Sequence, residues 1–345
     1  MSNSSGAPAN HSPGTPADLL ALLRTRGHLP SDVPAELTPL TGGVSNGVWL
    51  VSPADRPAFV LKQSRTQLAT PDPWFSRLDR IFREIEVMRL LSPMLPAGVV
   101  PRVLFEDREH YLFGMEAIDL DHIVWKRALL QGIVDPAVAD RLGVYLGTIH
   151  RDARAVPNLA DAWGDLEVFD QLRIDPFYRR LIIEHPELAS PIGRLIDDML
   201  SHRSTLVLAD FSPKNILITR SGVSLVDFET AHFGDPAFDV GFFLSHLQLK
   251  TVVHARRFDE YAALSRRFWE RYRHEVAADR ELEARSLRHL AACMWARVDA
   301  TSKVDYLQTA EQKQLVRDYC RGLLFEPAET LERALERLQR ATHAL

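Results

Sequence analysis

Carboxylates and a carboxamide crowd one stretch of the sequence, LVLADFSPKNILITRSGVSLVDFETAHFGDPAFD, residues 206–239. Three short apolar runs lie in it, at 206–208, 216–218 and 223–226, the last reached through Arg220-Ser221-Gly222, a hairpin turn by composition. Asp210 and Asn215 fall between the first two runs, and Asp227 and Glu229 follow the third. Pairing of these runs as strands predicts three carboxylates and a carboxamide gathered at one rim. Oxygen ligands from an Asp and an Asn suit Mg²⁺, which keeps several waters and is commonly shared with substrate phosphates. A further Asp, off the metal, can orient a hydroxyl and accept its proton while phosphoryl is transferred. The pattern D-x-x-x-x-N, a hairpin, then D-x-[DE] meets both needs.

This arrangement resembles the catalytic core of the aminoglycoside phosphotransferase and choline kinase superfamily, a small-molecule branch of the kinase fold. The D-x-E variant, with Ser212-Pro213-Lys214 before Asn215, looks most like methylthioribose kinase-like phosphotransferases. The resemblance implies that Asp210 is the catalytic base, that Asn215 and Asp227 hold Mg²⁺, and that Glu229 stands where many members carry a second Asp. Lys214 is then either a group that steadies the transferred charge or a loop-surface lysine. The superfamily has a His two residues before its catalytic Asp; here that position is Leu208.

The elements that must position these residues are legible as patterns. Residues 1–17, small, polar and Pro-bearing, read as a disordered tail without the basic start or apolar core of a signal peptide. Asp18 is expected to cap a short leucine-bearing helix ended by Gly27. A strand-like pattern begins at Leu37, with Thr41-Gly42-Gly43-Val44-Ser45-Asn46-Gly47 as a hairpin turn. Glycines there let backbone approach a phosphate closely, although many hairpins turn on Gly and Asn. By the resemblance, Gly42, Gly43, Ser45 and Asn46 cover the nucleotide and Lys62, after Phe59-Val60-Leu61, neutralises its inner phosphates. Apolar residues at helical spacing fill 78–91. Glu84, in Arg83-Glu84, matches the family's partner of that lysine, with Glu86 as the second candidate. The strand 110–117 is expected to run into a hinge, where backbone groups from Glu116 to Ile118 pair with the adenine edge.

The remainder reads as helical. The helix within 137–152 ends at His150, expected to be structural, and Asp239, near the start of an apolar helix over 240–249, to cap it or bond the catalytic loop. Asp227 and Asp235 lie eight positions apart, too close for the activation segment on which protein kinases seat peptides. On the late helix over 287–307, Arg297 and Asp299 are the candidate substrate residues. Arg297 has the alternative of an internal Arg–Asp pair.

Bulk properties agree with a globular enzyme. The 345 residues are 46% hydrophobic and 25% charged, with a formal net charge of −5. These values give no electrostatic footprint for nucleic acid or anionic membrane. Two cysteines without a CxxC spacing argue against a disulfide framework or a zinc ribbon and for a reducing, cytoplasmic setting. The expectation is an α+β, two-lobed protein-kinase-like fold. A strand-rich N-lobe occupies 18–117 and a larger, mostly helical C-lobe 118–345. ATP and Mg²⁺ are the expected cofactors and a small hydroxyl-bearing molecule the partner, with neither nucleic acid nor membrane. The acceptor classes are a sugar or thiosugar, an amino alcohol or an aminoglycoside-like molecule, and the mixed set of late charges suits a neutral or zwitterionic small metabolite, such as a thiosugar, better than a polycation. A nucleotide-binding pseudokinase and an antibiotic-resistance phosphotransferase are the alternatives.

Overall fold

The computed structural model describes residues 15–40, 46–67 and 75–343. Its chain divides into two compact units, the first running to Glu86 and including Arg102–Ala117, the second Val87–Pro101 with Ile118–Leu345. The segment before Arg102 thus groups with the helical unit although it precedes two strands of the first. Val99 accepts from Leu225 N at 2.7 Å and Gly98 from Ser224 Oγ at 2.6 Å, which ties that segment beneath the hairpin that carries Asp227.

In the first unit, strands β1 (Ala35–Pro39), β2 (Asn46–Pro53), β3 (Phe59–Ser64), β4 (Val103–Asp107) and β5 (Leu112–Glu116) form one antiparallel sheet in the order β1-β2-β3-β5-β4. Trp49, Val51, Phe59, Leu61 and Leu112 pack under Leu19 and Leu23 of helix α1 (Pro16–Thr25), the period-two face of the sheet meeting a leucine stripe. The cap of α1 is Thr15, not Asp18. Thr15 Oγ1 accepts from Asp18 N and the Asp18 carboxylate returns a bond to Thr15 N, a capping box with Pro16 at its start. Helix α2 (Arg80–Leu91) buries Ile81, Ile85, Met88 and Leu91, and Glu84 with them.

The second unit opens with β6 (Ile123–Val124), α3 (Trp125–Leu130) and α4 (Pro136–Ala153), followed by short helices α5 (Leu159–Trp163) and α6 (Glu167–Phe169). A π-helical stretch, Asp170–Arg179, then leads through α7 (Arg180–Glu184) to α8 (Ala189–Ser201). Next come β7 (Thr205–Val207), β8 (Ile216–Thr219), β9 (Gly222–Leu225) and β10 (His232–Gly234). The rest is helical: α9 (Pro236–Val253), α10 (Phe258–Val276), α11 (Arg280–Asp299), α12 (Ala310–Phe325) and α13 (Leu331–Thr342). The three apolar runs do not form one sheet. β8 and β9 make the expected hairpin, with β6 on its edge, whereas β7 pairs with β10, a strand absent from the sequence reading.

Glycine sets the helix packing. A Cβ at Gly143 of α4 would lie 2.4 Å from the Phe268 carbonyl of α10, and one at Gly241 of α9 would lie 2.4 Å from the Ser286 carbonyl of α11. Both helix pairs therefore approach backbone to backbone. Helix α9 is buried on all sides, and Asp235, not Asp239, is its N-cap.

Candidate active site

The loop after β7 is held by its backbone. Leu208 N and Ala209 N each donate to the Asp239 carboxylate at 2.7 Å, and His150 Nε2 lies 3.2 Å from the same group. His150 Nδ1 is 2.9 Å from the Tyr272 hydroxyl, so a fully buried chain of polar groups runs from α10 through α4 to the loop. This grip holds Ala209 in the left-handed region, φ +58°, a conformation that costs a non-glycine residue about 1–3 kcal/mol. Leu208 itself is buried and lines a small cavity with Phe211, Ile216, Leu225 and Phe228 and with the polar residues Asp210, Ser212, Asn215 and Asp227. The main chain of the loop is thus braced by Asp239, with His150 behind it.

Asp210 is 7% exposed and held from both sides. Arg173 Nη2 lies 3.0 Å from one carboxylate oxygen and Lys214 Nζ 2.8 Å from the other. Arg173 also donates to the carbonyls of Ala209 and Leu172, which locks the guanidinium to the loop it serves. Sequence reasoning missed Arg173. It belongs to the π-helical stretch, a geometry that recurs at functional sites, and the wide turn removes the helical spacing that would have placed it. Lys214 bridges to Asp210 one turn away while its own side chain remains 39% exposed.

Asn215 Nδ2 donates to the Asp210 carbonyl at 3.0 Å, leaving Oδ1 as the atom it offers a ligand. Val226 N donates to the Asn215 carbonyl, so the hairpin fixes Asn215 beside the residues that follow β9. Asp227 has φ +73°, a strained conformation for a non-glycine residue, and its carboxylate comes within 4.8 Å of that of Glu229. Asn215, Asp227 and Glu229 offer oxygen alone, the donor set of a hard cation such as Mg²⁺. The buried Ser212 hydroxyl, without a hydrogen-bond partner among the described residues, lines the same small cavity as Asp210, Asn215 and Asp227. An ordered water of a metal's shell would satisfy it. The residues present fit the ion.

In the first unit, Lys62 Nζ lies 2.9 and 2.7 Å from the two carboxylate oxygens of Glu84, both residues being buried. Glu86 faces solvent and lies 3.6 Å from Arg108, which decides between the two glutamates. Asn46 is buried at the start of β2, and its Oδ1 is 3.4 Å from Arg80 Nη2. Gly42, Gly43 and Ser45 lie outside the described residues. Glu116 ends β5 with its side chain exposed on Arg102, at 2.6 Å, and Ile118 is partly exposed.

Arg297 and Asp299, two residues apart on α11, point into different surroundings. Asp299 accepts from both Arg317 nitrogens, at 2.7 and 2.8 Å, and from Trp295 Nε1, with His185 at 2.8 Å, a structural network. Arg297 donates to Ser302, lies 3.3 Å from His246 and covers the Phe177 ring at 5.3 Å. No internal Arg297–Asp299 pair forms among the described contacts.

The sequence matches the phosphotransferase enzyme family over residues 36–273, well over half of the chain and inclusive of every residue of the loop and hairpin just described. The chain belongs to that family. Among curated relatives, methylthioribose kinase 1 of Oryza sativa subsp. japonica is 24% identical over 268 residues, covering 68% of this chain and 61% of the relative. The methylthioribose kinase of Yersinia pestis (strain Pestoides F) is 26% identical over 202 residues, covering 51% of this chain and 49% of the relative. The family chain described here therefore spans between half and two-thirds of their lengths. In fold it is similar to an amicoumacin kinase solved with AMP-PNP, Ca²⁺ and Ami. That likeness has a TM-score of 0.56 at 13% identity and covers 92% of this chain and 97% of the kinase. It is similar also to the macrolide 2'-phosphotransferase MphH of Brachybacterium faecium. Here the TM-score is 0.50 at 17% identity, with 96% and 99% covered. The fold class is that of the kinase-like phosphotransferases.

Proposed function

We propose that this family member is an ATP- and Mg²⁺-dependent small-molecule kinase that phosphorylates a hydroxyl group. The observation that carries the reading is the loop itself. A carboxylate is held by Arg173 and Lys214, and a metal-ligating amide is bonded to that residue's own carbonyl. Asp210 accepts the proton of the attacking hydroxyl as its oxygen bonds to the γ-phosphorus and the bond to the leaving ADP breaks. Lys214, exposed and 2.8 Å from Asp210, is free to follow the transferred charge once the hydroxyl takes its place on the carboxylate. Asn215, Asp227 and Glu229 would hold Mg²⁺, which supplies charge neutralisation at the phosphates. Lys62, fixed by Glu84, is the cation for the nucleotide's inner phosphates, and Asn46, Glu116 and Ile118 belong to the nucleotide-binding residues proposed with it.

The named relatives, which include methylthioribose kinases, an amicoumacin kinase and a macrolide phosphotransferase, support a small hydroxyl-bearing acceptor over a peptide. The two free, buried cysteines support a reducing, cytoplasmic setting. Asp210→Asn is the test. Removal of the base is expected to lower kcat about 10²–10⁴-fold with an accepted substrate, with little change in Mg-ATP affinity by calorimetry. Turnover unaffected by the substitution would sink the reading, and nucleotide binding without turnover by any acceptor would favour a pseudokinase.

A further inference from the structure

Cations gather around Asp210 in the second unit well beyond what one carboxylate needs. Arg173 contacts Asp210 and lies over Phe177 and Phe242 at 5.8 and 5.4 Å. Arg297 covers the same Phe177 ring at 5.3 Å and reaches His246, whose ring meets Phe242 edge-on at 4.9 Å. One turn further along α9, Lys250 donates to the Tyr306 hydroxyl at 3.0 Å, and Lys250 and Lys126 lie over the Tyr306 ring at 4.7 and 5.5 Å. Lys126, Arg173, Lys214, Lys250 and Arg297 thus come from five separate elements to one neighbourhood floored by aromatic rings.

The carboxylates facing them are Asp210, already shared by Arg173 and Lys214, and Asp305, which is exposed and 3.9 Å from Lys126. Lys250 is 1% exposed and has a phenol as its hydrogen-bond partner. Burying like charges without counter-ions is costly. Burial, then Arg297 and Lys126, push the Lys250 amine well below its ordinary value, with Asp305 opposing weakly. Burial, then Arg297 and the lysines 250, 214 and 126, do the same to His246. Neither Lys250 nor Arg297 has a carboxylate among its hydrogen-bond partners in the described residues, so the anionic group of a ligand would complete this cluster beside the base and favour its charged form.

Two donors are open to it. The Arg297 Nε is buried with no hydrogen-bond partner, its other nitrogens being taken by Ser302 and His246. The Tyr306 hydroxyl, having accepted from Lys250, retains its own proton to give. We propose that the acceptor carries an anionic group, a carboxylate or a phosphate, and that Arg297, Lys250 and the Tyr306 hydroxyl receive it while its hydroxyl meets Asp210. This rests on the phosphotransfer reading and narrows it. A polycationic acceptor meets repulsion here, and a neutral sugar leaves the cations uncompensated, which reverses the sequence-based leaning towards a neutral or zwitterionic metabolite.

The test is calorimetric titration of the full chain, without nucleotide, with four probes of one carbon skeleton: gluconate, glucose 6-phosphate, glucose and glucosamine. At least one anion is expected to bind ten-fold or more tightly than glucose and glucosamine. Arg297→Gln should weaken that anion at least ten-fold, and Arg297→Lys should recover part of the loss. Tyr306→Phe, which removes one oxygen from a partly exposed ring, gives a second reading should Arg297→Gln not fold. The proposal is overturned if neither anion binds at millimolar concentration, if both variants bind it as the parent does, or if glucosamine binds best. Because the titration contains no nucleotide, its failure alongside Asp210-dependent turnover removes the anionic acceptor and leaves phosphoryl transfer. Arg297-dependent anion binding without any Asp210-dependent turnover leaves the anion site and removes the transfer.

Discussion

A leucine at position 208 is compatible with an ordered catalytic loop because the loop is oriented through its main chain. Asp239 takes two N–H groups and His150 completes the carboxylate's shell. Restoring the family's residue with Leu208→His should therefore not raise kcat, and should lower stability by replacing a buried aliphatic side chain with an imidazole that must be desolvated, readable as a fall in Tm. Asp239→Ala should be far worse. It leaves two buried N–H groups and one nitrogen of the His150 imidazole unpaired at a cost of about 3–5 kcal/mol. Lys62→Met has a split signature. Glu84 remains buried without its cation, and the KM for ATP should rise together with a loss of about 3–5 kcal/mol in the denaturant midpoint assay. That Asp210, Asn215 and Asp227 come together was legible in sequence because it is a local event: Asp, Asn and Asp at fixed spacing around a hairpin. Arg173, His246 and Lys250 were not. Their partners lie tens of residues away, and two of them sit inside an apolar helix where a sequence pattern expects only core.

Among the elements, helix pairs are set by glycine rather than by ridges of large side chains. Gly143→Ala would press a methyl against the Phe268 carbonyl and force α4 from α10. Overpacking of this kind costs about 1–3 kcal/mol. It would also displace His150 and with it the support of the loop, so Tm and kcat should fall together; a normal kcat in a destabilised Gly143→Ala would separate the two. Short apolar runs gave β8 and β9 correctly and helical patterns gave α2 and α4. One strand and one cap are not legible in sequence, for physical reasons. β10 is a three-residue strand whose pairing with β7 is long-range, and the α1 cap moved from Asp18 to Thr15 because Asp18 serves the box as its returning carboxylate.

For the whole molecule, two groups of α11, Asp299 and His289, contribute to acid sensitivity. Burial alone would raise the Asp299 carboxyl, but hydrogen bonds from Arg317, Trp295 and His185 outweigh it and hold the group below the usual carboxylate range. That contribution is present above the unfolded value near ~4 and is lost as pH falls through the folded value. Burial, then Arg288 and Arg285, push His289 down to about 3. Between its ordinary value near ~6.5 and that point the unfolded chain binds a proton the folded chain does not, so stability falls as pH is lowered across this window. Tm measured from pH 7 to pH 3 should decline throughout. Asp299→Asn should cost about 2–3 kcal/mol at pH 7, with the difference from the parent shrinking below pH ~4. A pH-independent difference would mean that the charge on Asp299 contributes nothing.

The central claim is that Asp210 is a base serving a small-molecule hydroxyl. It is tested most directly by Mg²⁺-dependent nucleotide consumption with hydroxy acids, sugar phosphates, neutral sugars and aminoglycosides, measured for the parent and for Asp210→Asn. The expected result is turnover with an anionic acceptor that falls about 10²–10⁴-fold in Asp210→Asn while Mg-ATP binding persists. Turnover of equal rate in both proteins would contradict it.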